Sequence, residues 1–173
     1  WGGLGVIWGK NTATVYIRHS RFTKEFVDNA ESFSICVMPE KYRKELNYCG
    51  TISGRDENKI EKCGFTVEKE NDVPYFAEAR LTLICKKLYA KELSEDGFIE
   101  KKYVDTFYSD KDWHVMYIAE IEKVHGNRFG RLAVPVFNNE ESENNNLVLV
   151  QSKYYNVASV PFEKVVGELA KIN

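Results

Sequence analysis

Long apolar runs with a two-residue period set the strongest constraint on this chain, because no helix follows each of them in step. Ala79 to Leu88 (ARLTLICKKL) alternates on Leu81, Leu83 and Cys85, and His114 to Val124 (HVMYIAEIEKV) is long enough for an extended strand with at least one buried face. Thr12 to Ile17 (TATVYI) is rich in β-branched and aromatic residues and reads as a strand; Phe33 to Met38 and Phe65 to Val67 read as two more. Helical patterns between them are short. One starts after Ser20 to Thr23, with Phe22, Phe26 and Ala30 spaced four apart on one face. Glu40 to Tyr48 is a charged helix, Asn58 to Cys63 is stopped by Gly64, and Glu100 to Phe107 is a fourth candidate. Strands without regular crossover helices argue against a parallel doubly wound sheet. They fit a mainly β fold, a closed antiparallel barrel with inserted short helices.

Length and charge narrow the function. The 173 residues suit one domain with a real core, and a net charge of -2 provides no basic footprint for nucleic acid. No run approaches the roughly 18 apolar residues of a membrane span. No signal peptide is visible, and the chain starts at Trp1 without Met, which leaves room for a removed leading segment. Cys36, Cys49, Cys63 and Cys85 form no CxxC pair, so neither a zinc site nor a dithiol motif is indicated. Cys36 and Cys85 lie in apolar runs and read as core thiols, and the expectation is a reducing cytoplasm without disulfides. Aromatic residues make up 13% of the chain, which suits a β-rich core and equally a site for a flat ligand.

Two stretches gather the groups that hold anions. In YIRHSRFTKEF, Tyr16 to Phe26, a strand ends and Arg18, Ser20, Arg21, Thr23 and Lys24 collect at a helix start. Free backbone N–H groups and the helix dipole favour anions there, and the side chains add charge and directed donors. In CGTISGRDENK, Cys49 to Lys59, small flexible residues are crowded with a hydroxyl, a guanidinium and an ammonium. Either stretch alone also reads as ordinary capping or a solvated turn with surface charge. Together they suggest one phosphate held from two sides, with Trp1, Gly2 and Gly3 letting a flat ring approach the backbone: a phosphorylated aromatic cofactor of unspecified kind.

The runs WGGLGVIWGK, TVYIRHSRFTKEFVDN, YRKELNYCGTISGRDENKI, CKKLYA and DWHVMYIAEIEKV, in that order, resemble the flavin reductase-like, FMN-binding split-barrel family, and its flavoredoxin-type members most of all. The resemblance covers Trp1 to about Val124. It implies a six-stranded antiparallel split barrel, a bound FMN and a homodimer with the flavin near the shared interface. Arg18, Ser20, Arg21, Thr23 and Lys24 match the family segment that holds the FMN phosphate and ribityl chain. Ser53, Gly54, Arg55, Asp56 and Lys59 match a segment beside the same cofactor. Cys49, Gly50 and Thr51 open that loop, and Trp1, Gly2 and Gly3 match the backbone along the isoalloxazine edge. The family commonly has Pro after the first Arg, where this chain has His19.

The resemblance also puts His114 near the flavin, where an imidazole donates to the ring or relays a proton; a structural His hydrogen-bonded at a strand end is the equal alternative. Cys49 has no identifiable base for a catalytic thiol. His19 and His125 lack partners at ligand spacing, so no metal is expected. The implied function is an FMN-dependent oxidoreductase taking electrons from NAD(P)H to an acceptor; the alternative is an electron carrier served by a redox protein. No GxGxxG fingerprint is present, so a nicotinamide would use a transient groove.

The expectation is one domain over residues 1–173, with 125–173 as an atypical tail. There Leu132 to Phe137 reads as a strand and Asn138 to Asn146 as an acidic, Asn-rich loop. A last helix is opened by Pro161. Family members carry a strand pair ahead of the WGG segment. In the tail, LVLVQSKYYNVASV, Leu147 to Val160, has the pattern of such a pair and is expected to take its place in the barrel; the alternative is a truncated start with an unrelated extension that packs elsewhere or on the dimer partner.

Overall fold

The structure, a computed structural model, describes residues 1–126. The expected strands and helix of the tail, including the strand pair proposed to complete the barrel, lie outside these residues.

Seven strands and four α-helices follow one another in the described chain. Strand β1, Gly2–Ile7, and β2, Lys10–Arg18, form a hairpin in which Ile7 pairs with Lys10. The two residues between them, Trp8 and Gly9, both have positive φ, at 56° and 69°. Such a turn twists in the sense of the strands it joins. The turn is illegible in the sequence because Trp replaces the usual Asn or Asp at its first position, and β1 itself reads only as a permissive glycine-rich start.

Helix α1, Phe22–Asn29, leads to β3, Ser32–Val37. A 3₁₀ turn, Glu40–Tyr42, runs into α2, Arg43–Thr51, and α3, Lys59–Cys63, follows. Gly64 ends α3 in the left-handed conformation at φ 65°, as expected. Strands β4, Val67–Glu70, and β5, Val73–Phe76, make a separate hairpin turned at Asn71 and Asp72, both with positive φ. Phe65 thus precedes its expected strand and is instead a buried core residue. Strand β6, Leu81–Glu92, then a 3₁₀ turn and α4, Lys102–Phe107, lead to β7, His114–Gly126.

The main sheet has the order β1-β2-β7-β6-β3, antiparallel throughout. The fold is therefore mainly β with inserted helices. The described residues supply five strands to this sheet, where six were expected. Both edges of β2 are taken between Thr12 and Val15, one by β1 and the other by β7, so any added strand must pair elsewhere.

Two clusters make the core. Ala13 faces Ala119 across the β2–β7 ladder, both fully buried, and their small side chains let Leu83 and Cys85 of β6 pack close. Phe33, Ile35, Leu81, Ile121 and Val124 surround them. Burial pushes the Cys85 thiol up to about 12, so it behaves as a small hydrophobe. Cys36, expected beside it in the core, is only half-buried. The expected alternation of β6 breaks down, because Thr82 and Ile84 are buried along with Leu83 and Cys85. The strand is covered on both faces there, a condition that sequence alternation does not reveal.

The second cluster is Val27, Val115 and Tyr117, with Val15, Ile17 and Phe33 around it. Val27 is the residue α1 buries, whereas Phe26 of the expected apolar face is 61% exposed. The helix is two turns long, and contacts made one residue later set its rotation. Tyr117 Oη donates to Asp28 at 2.5 Å, and Lys87 Nζ donates to the Val27 carbonyl at 2.5 Å. Phe26 packs against Phe22 on the outside.

Candidate functional site

Arg18 is the last residue of β2 and pairs across the ladder with His114, the first of β7. The chain then turns sharply, with Arg21 N donating to the Arg18 carbonyl at 3.1 Å, and α1 begins. An acidic segment just before β7 anchors this turn. Ser20 donates to Asp112 twice, from N at 3.0 Å and from Oγ at 2.6 Å. Arg18 donates to the Phe107 carbonyl at 2.6 Å, lies 3.6 Å from Asp110 and 3.8 Å from Asp112, and sits over the Tyr108 ring. Burial would raise the Asp112 carboxyl, but the Ser20 donors and the nearby Arg18 charge hold it below the ordinary aspartate range.

Helix α1 has no side-chain cap at its N-terminus. The Arg21 side chain makes no hydrogen bond or ion pair among the described residues, and Thr23 offers a free hydroxyl on the first turn. Lys24 is spent differently, on Asp28 one turn along at 2.5 Å.

The second stretch comes to the same place. Arg55 Nη1 donates to the Ser20 carbonyl at 3.1 Å, its other arm pairs with Glu25, and the guanidinium lies 4.9 Å from the Phe22 ring centre. Beneath that ring is Gly54, where a Cβ would come within 3.1 Å of Phe22 Cδ1. Ser53 Oγ accepts from Arg55 N at 3.1 Å, and Asp56 N donates to the Ser53 carbonyl at 3.2 Å, which makes a tight turn. Ser20, Arg21, Thr23, Ser53, Gly54 and Arg55 are thus one surface built from two distant segments.

Other expected site residues stand behind it. Cys49, Gly50 and Thr51 are the last turn of α2, not a loop, because their carbonyls and neighbours complete the helix. Lys59 Nζ caps that end, donating to the Cys49 carbonyl at 2.7 Å and the Ile52 carbonyl at 3.0 Å, where a cation suits the helix dipole. These contacts tie the end of α2 to the start of α3.

On the other side, Trp1 is 73% exposed and stacks on His114 with ring centres 4.8 Å apart, while its edge meets Phe107. Gly2 has a local reason: a Cβ there would come within 2.3 Å of the Thr14 carbonyl oxygen across the hairpin, whereas Gly3 has open space. His114 is only 6% exposed and shares a 2.8 Å hydrogen bond with the Tyr108 hydroxyl through Nδ1. Burial first, then the Arg18 charge, holds its pKa below 6.5, so the ring is neutral at neutral pH. Tyr108 stacks on Trp113 in turn. Contacts therefore run without a break from Trp1 through His114, Arg18, Asp112 and Ser20 to Arg55.

Sequence reasoning missed Asp110 and Asp112, the carboxylates that aim Arg18 and Ser20, and it missed Tyr108 and Glu25. For Tyr108, Asp110 and Asp112 the signal was the run YSDKDWH, where acids and aromatics alternate directly before a strand; Glu25, within α1, had no such signal. Among the described residues no cluster of three or more His, Cys, Asp or Glu could hold a metal, and no helix is long and apolar enough to cross a membrane.

The described residues form an antiparallel sheet with short inserted helices, and a cationic, hydroxyl-bearing helix start lies where β2 ends. The chain belongs to the flavin reductase like domain family, whose model matches residues 11–158. The match runs past Val124 into the tail set apart above. An uncharacterised protein of Archaeoglobus fulgidus is 28% identical over 118 residues, 66% of this chain and 56% of that protein. The flavoredoxin of Desulfovibrio vulgaris (Miyazaki F) superposes with a TM-score of 0.56 at 21% identity, covering 74% of this chain and 59% of that one. An FMN-binding domain of a flavin reductases-like enzyme from Shewanella baltica has a TM-score of 0.53 at 17% identity, covering 87% and 76%. These structures share the fold. The chain spans less than two thirds of the length of the Archaeoglobus protein and of the flavoredoxin.

Proposed function

We propose that this chain binds FMN and passes electrons from NAD(P)H through the flavin to an acceptor. The observation that carries the reading is the meeting of the two cationic segments at the uncapped N-terminus of α1. In this reading the first-turn N–H groups of α1, the Arg21 guanidinium and the Thr23 hydroxyl hold the phosphate. Arg18 and Arg55, already paired with carboxylates, orient the two segments and add little net charge. Ser53, Gly54 and Asp56 shape the facing loop, and Cys49, Gly50, Thr51, Lys24 and Lys59 brace it from behind. Trp1, with Gly2 and Gly3, flanks the ring. His114, buried and tied to Tyr108, positions that aromatic wall.

When bound, the flavin supplies the hydride and electron chemistry, and the protein binds, orients and tunes it. The residues present fit such a ligand: a dianionic phosphate would meet a helix start that no side chain caps among the described residues, and Trp1 presents an exposed aromatic ring. The resemblance to flavoredoxin-type proteins supports a homodimer, and four cysteines without a CxxC pair support a reducing cytoplasm.

The test is an absorption spectrum of the purified protein with FMN added, followed by NADH or NADPH under anaerobic conditions. Bound FMN that bleaches rapidly with either nucleotide supports the proposal. Bleaching only by a reduced redox protein assigns the electron-carrier role instead. A protein that stays colourless with excess FMN overturns the cofactor assignment.

A further inference from the structure

Cys49 and Cys63 were separate in the sequence, and no short motif joins them. In the fold they meet. Cys49 lies in the last turn of α2 and Cys63 is the last residue of α3, and their sulfurs are 3.6 Å apart. Both are half-buried, and both are free thiols. A disulfide needs its sulfurs at about 2.0 Å, so they must close by about 1.6 Å. Gly50 follows Cys49 and Gly64 follows Cys63, and each has open space where a side chain would stand.

The chain between the two sulfurs is the loop described above. It carries Ser53, Gly54 and Arg55, and Arg55 is the residue that reaches Ser20 at the start of α1. A bond between the ends would cinch that loop without altering any residue in it.

We infer that Cys49 and Cys63 are a reversible dithiol–disulfide pair that locks the 49–63 loop. The step is thiol–disulfide exchange with a small disulfide of the glutathione class. One cysteine thiolate attacks a sulfur of the oxidant, its S–S bond breaks, and one thiol leaves. The second cysteine thiolate then attacks the mixed disulfide, forms the Cys49–Cys63 bond and releases the second thiol. The pair loses two electrons and two protons, and the oxidant takes up both. Both sulfurs rest as free thiols. Burial, followed by the Cys49 sulfur and the Glu45 charge, pushes the Cys63 thiol up, with Lys59 opposing. Cys63 also donates to the Glu45 carbonyl at 3.8 Å. The other two cysteines are elsewhere: Cys85 is fully buried in the core, and Cys36 contacts Ser34 and Thr82.

The experiment uses the full chain, reduced and then exposed to oxidised glutathione or to hydroxyethyl disulfide. The expected product is a single chain about 2 Da lighter than the reduced one, with two of its four cysteines still alkylated after denaturation. Peptide mapping should join Cys49 to Cys63. Amides of residues 53–59 should exchange more slowly, and the Tm should rise by about 5–10 °C. Cys36→Ser should behave as the wild type, and Cys49→Ser should carry the oxidant on Cys63 instead. Stable adducts on both cysteines, a bond to Cys36, or a bond between chains would overturn the inference. None of these measurements needs a flavin, so their outcome is separate from that of the FMN proposal.

Discussion

At the scale of single residues, the site separates cations that are free from cations that are already spent. Arg18, Lys24, Arg55 and Lys59 each have protein partners, whereas the Arg21 side chain makes no hydrogen bond or ion pair among the described residues. A charge-assisted hydrogen bond contributes about 1.5–3 kcal/mol. Arg21→Ala should therefore weaken FMN binding about 10–100-fold and leave riboflavin binding nearly unchanged, as read by fluorescence titration of both ligands. Equal losses for the two would remove the phosphate assignment. His114 makes a second prediction. Its folded pKa lies below the ordinary 6.5, because burial and then Arg18 disfavour the charged ring. The unfolded chain thus binds the proton more readily. The stability that the neutral His114 contributes is complete above pH 6.5 and is lost as the pH falls through the lower folded value. Urea unfolding of the wild type against His114→Gln from pH 8 to about 5 should show the wild type losing its advantage on the acid side. Parallel curves would count against it.

At the scale of elements, the β1–β2 hairpin tests whether Gly2 serves strand packing. A methyl group at Gly2 would lie 2.3 Å from a backbone oxygen, which cannot move out of the way as a side chain can. Gly2→Ala should cost about 1–3 kcal/mol, the usual penalty of overpacking, while Gly3→Ala, with open space, should stay within about 0.5 kcal/mol. Thermal unfolding of the two variants decides it, and equal shifts would mean that the hairpin is not held as described. The same element shows why β1 escaped detection. Glycines lack the β-branched signature of strands, and the Trp8–Gly9 turn needs positive φ at a residue that seldom adopts it. The helices that were foreseen shifted by a few residues, and α1 turned a different face inward. Two helical turns carry too few apolar positions to define a stripe, so the partners on β6 and β7 chose it.

At the scale of the whole molecule, β1 is an edge of the sheet as far as it is described, and Trp1, Val6, Ile7 and Trp8 are exposed along it. The homodimer implied by the family resemblance would cover surface of this kind. Light scattering at micromolar concentration should then give about 40 kDa, twice the 20.0 kDa of the chain, and a flavin-loaded species at the monomer mass would contradict it.

Much of this protein was legible in its residues. The long apolar runs of β6 and β7, the β-branched run of β2 and the stop at Gly64 are local properties, set by side-chain geometry within a few positions, and so the mainly β class followed directly. The helix start in YIRHSRFTKEF, with its hydroxyls and cations, was legible for the same reason, because these residues gather where a strand gives way to a helix. What the sequence could not show was which distant groups meet. Asp112 under Ser20, Arg55 against Ser20, Trp1 over His114 and Cys49 beside Cys63 are separated by 14 residues or more, and only chain crossing brings them together. The tertiary structure therefore decided which cations are free to bind and which are already neutralised, because a charge's availability depends on its neighbours in space.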